Sequence, residues 1–346
     1  MAVVDEVSPA DAEVVAEEAG LRYVTDAEPG IRRVRRGKGF SYRSDDGRPV
    51  TAAAKERIKA LVIPPAWSDV WICAQANGHL QATGRDAKGR KQYRYHDTWR
   101  EVRDADKFSR LKDFGERLSD LREQVEADLT GSGTQHDKVV AAVVRLLDDT
   151  LIRVGNEEYA DTNESFGLTT LRPEHVEELS GSRFTLRFVG KSGVEHDVTV
   201  EDTRLAKLVR RCHELEGHDL FSYRTDDDRV RSVSSGDVNE YLHRTIGPDM
   251  SAKVFRTWGA TSLVAATLAQ AEDDPADVEK EIVAAIDEAA EQLRNTRAVC
   301  RQSYVHPVVL DAFRDGGLKE TWRHCRAAGR LSRADHTVLI VLQDRT

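Results

Sequence analysis

Apolar positions along this chain follow two regimes, and the change comes near residue 105. Beyond it, Phe108, Leu111, Phe114, Leu118, Leu121, Val125 and Leu129 recur at spacings of three and four. That spacing collects them on one stripe and predicts a long helix with a buried face. The same periodicity, bounded by caps and breakers, predicts further helices at about 135–151, 202–216, 235–245, 253–271, 275–293, 307–314, 317–328 and 332–344. One stretch interrupts them. Phe184, Leu186 and Phe188 alternate with polar residues, Gly190-Lys191-Ser192-Gly193 turns the chain, and Val194, His196, Val198 and Val200 resume the alternation. A β-hairpin with Lys191 at its tip follows.

Before residue 105 the segments are short and broken by turn signals: Asp45-Asp46-Gly47, Asn77-Gly78 and Lys88-Gly89. Strand-like runs lie at Val70–Gln75, His79–Thr83 and Arg90–Tyr95, and Asn-Gly between two such runs signals a hairpin. A helix is predicted over Ala52–Leu61, stopped ahead of Pro64-Pro65. The fold class is therefore a small α+β domain, an antiparallel sheet with helices, followed by a mainly α domain containing a short β-hairpin. The boundaries expected are an acidic extension at 1–30, the α+β domain at 31–98, a linker at 99–106 and the helical domain at 107–346.

Composition adds the setting. With 346 residues, 40% of them hydrophobic and 32% charged, the chain suits two globular domains. It has no run of 18 apolar residues and begins with an acidic rather than a basic and apolar stretch, so neither a membrane span nor a secretory leader is expected, and the expected location is cytoplasmic. Cys73, Cys212, Cys300 and Cys325 form no C-x-x-C pair and read as reduced thiols.

A net charge of −9 runs against nucleic-acid binding, but the charge is segregated. Residues 1–30 hold eight acids against Arg22, and residues 272–291 hold nine against Lys280, which leaves the remainder of the chain at +6. Two basic stretches stand out. Arg32, Arg33, Arg35, Arg36 and Lys38 lie together without an acid, and Arg85, Lys88, Arg90, Lys91, Arg94, Arg100 and Arg103 are interleaved with Tyr93, Tyr95 and Trp99. Cations interleaved with rings suit a nucleic-acid surface, although a hairpin with one solvated face has the same pattern.

The candidate chemistry lies in the C-terminal half, in Arg153, Lys191, Arg256, Asn295 and Tyr304. Two guanidiniums can clamp phosphoryl oxygens, a lysine can give a proton, an amide adds a neutral donor, and the tyrosine can act as a covalent nucleophile. Together they are equipped to attack a phosphodiester. Other apparent motifs fail. Gly190-Lys191-Ser192 ends like a phosphate-binding loop but has Thr185 where that loop needs glycine; Gly37 and Gly39 begin a dinucleotide fingerprint that breaks at Tyr42; and His213-Glu214 is followed by His218, one residue too late for a zinc-binding helix. Neither a nucleotide site nor a metal is implied, and the sequon at Asn163 has no secretory context.

The runs LIRVGNEEYA at 151–160, SFGLTTL at 165–171, FVGKSG at 188–193, FRTWGAT at 255–261, LRNT at 293–296 and RQSYVHP at 301–307 resemble type IB DNA topoisomerases of the compact poxvirus and bacterial branch, as does ATGRDAKGRKQYRYH at 82–96. The resemblance covers nearly the whole chain after about residue 30. It implies that Arg153 and Arg256 are the catalytic arginines, Lys191 the general acid and Tyr304 the nucleophile. Asn295 stands where the poxvirus enzymes have histidine, so it can donate a hydrogen bond but cannot titrate near neutral pH. Arg90 and Lys91 fall in the basic stretch, and Gln92, Tyr93, Tyr95 and Tyr159 match DNA-contacting positions. The family further implies a monomeric C-shaped clamp on duplex DNA, a 3′-phosphotyrosyl intermediate, and no nucleotide or metal cofactor.

Two alternatives stay open on sequence. A tyrosine recombinase shares this chemistry but usually carries H-x-x-R where this chain has Lys253-Val254-Phe255-Arg256. A non-catalytic DNA-binding clamp would not need all of Arg153, Lys191, Arg256 and Tyr304.

Overall fold

In the first 107 residues the backbone hydrogen bonds of five short strands close on one another in a single antiparallel sheet. The computed structural model describes residues 9–346 other than 38, 131–134, 158–159, 162–163, 216 and 273–276. It divides into two units, Met1–Lys107 and Phe108–Thr346.

In the first unit, β1 (Ile31–Arg36), β2 (Gly39–Ser44), β3 (Ser68–Ile72), β4 (Leu80–Arg85) and β5 (Lys91–Tyr95) pair in the order β2-β1-β3-β4-β5. A helix, Ala52–Ala60, capped by the Thr51 hydroxyl, seats Ile58 among Ile31, Val70, Ile72 and Ala82. The opposite side buries Val24, Trp71, Cys73 and Leu80, with Tyr93 and Tyr95 against them. The hairpin expected at Asn77-Gly78 forms, but its loop is longer than two residues. Gly78 is required there because a Cβ would fall 2.5 Å from Cys73 Sγ.

Residues 9–30 are not a detached extension. The helix Pro9–Glu18 buries Ala12 and Ala16 with Leu21 and Trp99, Arg22 bridges Gly78, and the Val24 N–H donates to His79 Nδ1 at 3.1 Å. Its apolar positions sit among acids, which is why charge dominates a reading of the sequence. The stretch 99–106, expected as a linker, is helical and belongs to Asp97–Thr130, one helix of 34 residues or about 50 Å.

The second unit is helical around a three-stranded sheet in the order β6-β7-β8: Val176–Glu177, Arg183–Val189 and Glu195–Glu201. Its helices include His136–Thr150, Thr203–His213, Ser235–Ile246, Val254–Ala269, Val278–Gln292, Pro307–Arg314, Gly317–His324 and Arg333–Arg345, each near its expected place. The expected helix at 317–328 stops at His324, where Cys325 turns extended. A seven-residue helix, Arg297–Ser303, and a small hairpin, Ser222–Arg224 with Val230–Ser232, complete it. Trp258 lies at the centre, edge-on to Phe114 at 5.7 Å and against Gly115, where a Cβ would collide with its ring. Its Nε1 donates to the buried Asp335 carboxylate at 2.6 Å, which Arg122 also meets at 2.9 Å. The C-terminal helix is thereby locked onto Val254–Ala269.

Candidate active site

Each of the five candidates is held where a regular element ends. His136–Thr150 finishes on Leu151 in the left-handed region (φ 55°), and Arg153 follows two residues later. Its backbone is fixed from the other side. Leu168 N–H donates to the Arg153 carbonyl at 2.9 Å, Thr169 N–H to that of Val154 at 2.7 Å, and Gly167 packs so closely that a Cβ would lie 2.6 Å from the Arg153 oxygen.

Arg256 sits in the first turn of Val254–Ala269 and is only 4% exposed. Its Nη1 donates to the Leu151 carbonyl and its Nη2 to the Leu293 carbonyl at 2.8 Å. Both acceptors are C-caps, of His136–Thr150 and Val278–Gln292. One guanidinium thus satisfies the negative ends of two helices. Its Nε is buried and has no partner among the described residues, so donors remain for an anion. Burial, then the Arg153 charge, pushes its pKa down to about 10, which leaves it cationic at neutral pH.

Asn295 is positioned by a helix terminus of Schellman type. Arg294 adopts φ 51°, the Asn295 N–H donates to the Ala290 carbonyl at 2.9 Å, and that of Arg294 to Glu291 at 3.0 Å. Its Oδ1 accepts from Arg153 Nη2 at 2.9 Å, and its Nδ2 is buried without a partner among the described residues.

Tyr304 caps Arg297–Ser303, its N–H donating to the Cys300 carbonyl at 3.0 Å. The Thr261 hydroxyl lies 3.1 Å from the Tyr304 carbonyl and accepts the His306 N–H at 3.1 Å. The Arg256 guanidinium stands 5.0 Å from the Tyr304 ring centroid. Burial raises the phenol pKa, but Arg256, Arg153 and Lys253 together outweigh it and hold it below the ordinary value.

Lys191 is half-buried at the tip of the β7–β8 hairpin, beside Ser192 and Gly193 at positive φ. Burial and then Arg153 lower its pKa; Tyr304 opposes this, and Arg256 and Lys253 add to it. Arg153, Lys191, Arg256 and Tyr304 therefore share one electrostatic field with Lys253, and Asn295 joins them through its bond to Arg153. In the sequence Lys253 stands out only as the residue in place of a recombinase histidine, and its position one helical turn before Arg256 is the signal that it joins the site.

All the candidate DNA contacts except Tyr159 lie in the first unit. Arg90 pairs with Asp86 at 2.7 Å, Lys91 with Asp26 at 2.7 Å, and Gln92 Nε2 donates to Asp86 at 3.0 Å. Strand register puts Lys91 and Tyr93, opposite Arg85 and Thr83, on one face, and Gln92 on the other. Tyr93 and Tyr95 stack at 6.0 Å, and burial pushes the Tyr95 phenol up to about 12. Tyr159 lies outside the described residues. Among the described residues no helix is long and apolar enough to cross a membrane, and no cluster of His, Cys, Asp and Glu is arranged to hold a metal.

Residues 96–323 match the family model described as eukaryotic DNA topoisomerase I, catalytic core, and residues 39–86 that of the bacterial DNA topoisomerase IB N-terminal domain. Over 296 residues the chain is 34% identical to DNA topoisomerase 1B of Acanthamoeba polyphaga mimivirus, covering 83% of this chain and 88% of the viral protein. The chain belongs to the type IB DNA topoisomerase family. This topoisomerase is also 25% identical over 273 residues to DNA topoisomerase I of Monkeypox virus, covering 76% of this chain and 82% of the other. A DNA topoisomerase 1 of Mycosarcoma maydis is 25% identical over 187 residues, 49% of this chain but 18% of the fungal protein. As a type IB topoisomerase the protein is a DNA-acting isomerase, and the recombinase alternative gives way.

Proposed function

We propose that this topoisomerase relaxes supercoiled duplex DNA as a monomer by cutting and resealing one strand through Tyr304. The Tyr304 hydroxyl releases its proton to solvent as its oxygen attacks the scissile phosphorus, the bond to the 5′-oxygen breaks, and a 3′-phosphotyrosyl link forms beside a 5′-hydroxyl. Arg153 and Arg256 neutralise the charge growing on the non-bridging oxygens, and Asn295 Nδ2 adds a neutral donor. Lys191 gives its proton to the departing 5′-oxygen, a transfer eased by its lowered pKa. The cut strand swivels, and the 5′-hydroxyl attacks the phosphotyrosine, returning its proton to Lys191 while the bond to the Tyr304 oxygen breaks and the phenol regains a proton from solvent. Because the phosphodiester is exchanged for a phosphotyrosyl ester, resealing requires no nucleotide, and side-chain cations supply the positive charge that metals supply elsewhere.

The observation that carries this reading is the approach of the Arg256 guanidinium to 5.0 Å from the Tyr304 ring, with Arg153 bonded to Asn295 beside it. A tyrosine kept below its ordinary pKa in a buried site suits a nucleophile. Arg90, Lys91, Gln92, Tyr93, Tyr95 and Tyr159 are proposed to contact DNA, with the enzyme acting as a clamp on duplex DNA of the cytoplasmic nucleoid. The test is relaxation of supercoiled plasmid in EDTA without nucleotide. Relaxed topoisomers with the wild type and none with Tyr304→Phe are expected; no relaxation by the wild type at any salt concentration would overturn the proposal.

A further inference from the structure

Beneath the hairpin tip lies a histidine that the catalytic scheme does not use. His196 is 5% exposed and pairs across the strands with Phe188, their rings stacked at 4.6 Å and 5° apart. The edge of its ring meets the residue before Lys191: a Cβ on Gly190 would fall 2.7 Å from His196 Nε2 and 2.8 Å from Cδ2. Gly190 has an ordinary φ of −94°, so contact with the imidazole, not backbone conformation, makes glycine necessary there. Phe188 also meets His175, tilted at 58° with centroids 6.4 Å apart, and His175 meets Phe166, tilted at 59° with centroids 4.5 Å apart. Phe166 N–H bonds the Val189 carbonyl at 2.9 Å, and its neighbour Gly167 is the residue pressed against the Arg153 carbonyl. One run of rings therefore joins the hairpin carrying Lys191 to the loop carrying Arg153.

We infer that His196 is a positioning residue for proton delivery: its ring supports Gly190 and so sets where the Lys191 ammonium stands relative to Arg153 and the leaving oxygen. This rests on the reading of Lys191 as the general acid. Burial, and then the charges of Arg153, Arg294 and Arg256, hold the imidazole down to about 4, so it serves as an uncharged wedge under a cluster of cations. Ser192 and Gly193 stand at positive φ in a turn closed by two backbone hydrogen bonds, from Gly190 N–H to the Val194 carbonyl at 2.8 Å and from Gly193 N–H to the Gly190 carbonyl at 3.1 Å, so Gly190 takes part in both and a shift of its position moves the whole tip.

The experiment measures single-turnover cleavage by His196→Ala, Gly190→Ala and Lys191→Ala on ordinary DNA and on DNA with sulfur at the bridging 5′ position. A thiolate leaves without needing a proton, so sulfur rescues only defects in proton delivery. His196→Ala is expected to slow ordinary cleavage about 10-fold or more, within the range general-acid catalysis contributes, and to recover on sulfur to near the wild-type rate on that substrate. Gly190→Ala, which pushes on the same contact without opening a cavity, should show the same sulfur-reversible loss and provides the test if His196→Ala does not fold. Equal slowing on both substrates, or no slowing, would overturn the inference. Failure of sulfur to rescue Lys191→Ala would overturn the acid assignment itself, and this inference with it.

Discussion

Arg153 donates through Nη2 to Oδ1 of Asn295 at 2.9 Å, a bond between side chains 142 positions apart in sequence. Since arginine can only donate, the bond fixes which end of the amide faces it, and the buried Nδ2 is left as the donor available to a phosphoryl oxygen. Asn295→Asp keeps the acceptor for Arg153 but removes that donor and adds negative charge. Single-turnover cleavage should fall about 100-fold or more, as for loss of one oxyanion donor, with DNA affinity little changed. A rate within threefold of wild type would show that Nδ2 does not meet the substrate.

The two arginines should separate by stability. Arg256 caps two helices as well as facing Tyr304, so Arg256→Ala should abolish cleavage and also destabilise the protein by about 2 to 3 kcal/mol, the scale for leaving buried polar groups unpaired. Arg153→Ala should lose comparable activity while moving the urea midpoint much less. Equal midpoints for the two variants would mean that the Leu151 and Leu293 carbonyls find other partners.

On the sheet, Lys91 and Arg90 already face carboxylates, so DNA contact at the proposed positions would exchange Asp26 and Asp86 for phosphates. Asp26→Asn should therefore tighten binding at low salt, whereas replacing Arg90, Lys91 and Arg94 by alanine should flatten the slope of log K against log salt by up to about 2.7, at roughly 0.9 per phosphate contact. An unchanged slope in the triple variant would place this strand away from the backbone.

Acid should find Asp335. Burial works against its ionised form, but Arg122, Ser332 and Trp258 prevail and hold its pKa below the usual value of 3.8. A carboxylate depressed in the folded state contributes stability that is complete above its unfolded pKa and is lost as pH falls through the folded one. Asp335→Asn should cost about 3 kcal/mol or more at pH 7, by stranding part of the buried Arg122 charge. The gap between wild type and variant should narrow below about pH 4. A gap constant from pH 7 to 3 would exclude the carboxylate as its source.

The second unit was largely legible because its helices carry long apolar stripes and the hairpin carrying Lys191 alternates cleanly around Gly190-Lys191-Ser192-Gly193. The strand Ile31–Arg36 was not, since four of its six residues are arginines. What holds Arg33 in the sheet is its guanidinium on the carbonyls of Ile63, Pro64 and Trp67, contacts some thirty residues away that no periodicity encodes. The helix Arg297–Ser303 is too short to show a stripe, and the one at Pro9–Glu18 hides two alanines among acids. Within the site, residue types and order were readable, but the deep seating of Arg256 on two helix ends was not. A phosphate clamp read from sequence is an exposed side chain; here two of its nitrogens serve the fold.

Thr261 is fully buried, and its hydroxyl meets the main chain on both sides of Val305, at the Tyr304 carbonyl and at the His306 N–H. The Tyr304 backbone is thereby fastened to the central helix of the unit and not to a surface loop. A DNA end joined to this side chain would have no protein hinge to turn upon. Torque from the duplex would pass through the phenol into Val254–Ala269 and the Trp258–Asp335 lock behind it, while all rotation took place in the nucleic acid. The fold would then behave mechanically as an anvil, and the free strand as the only moving part.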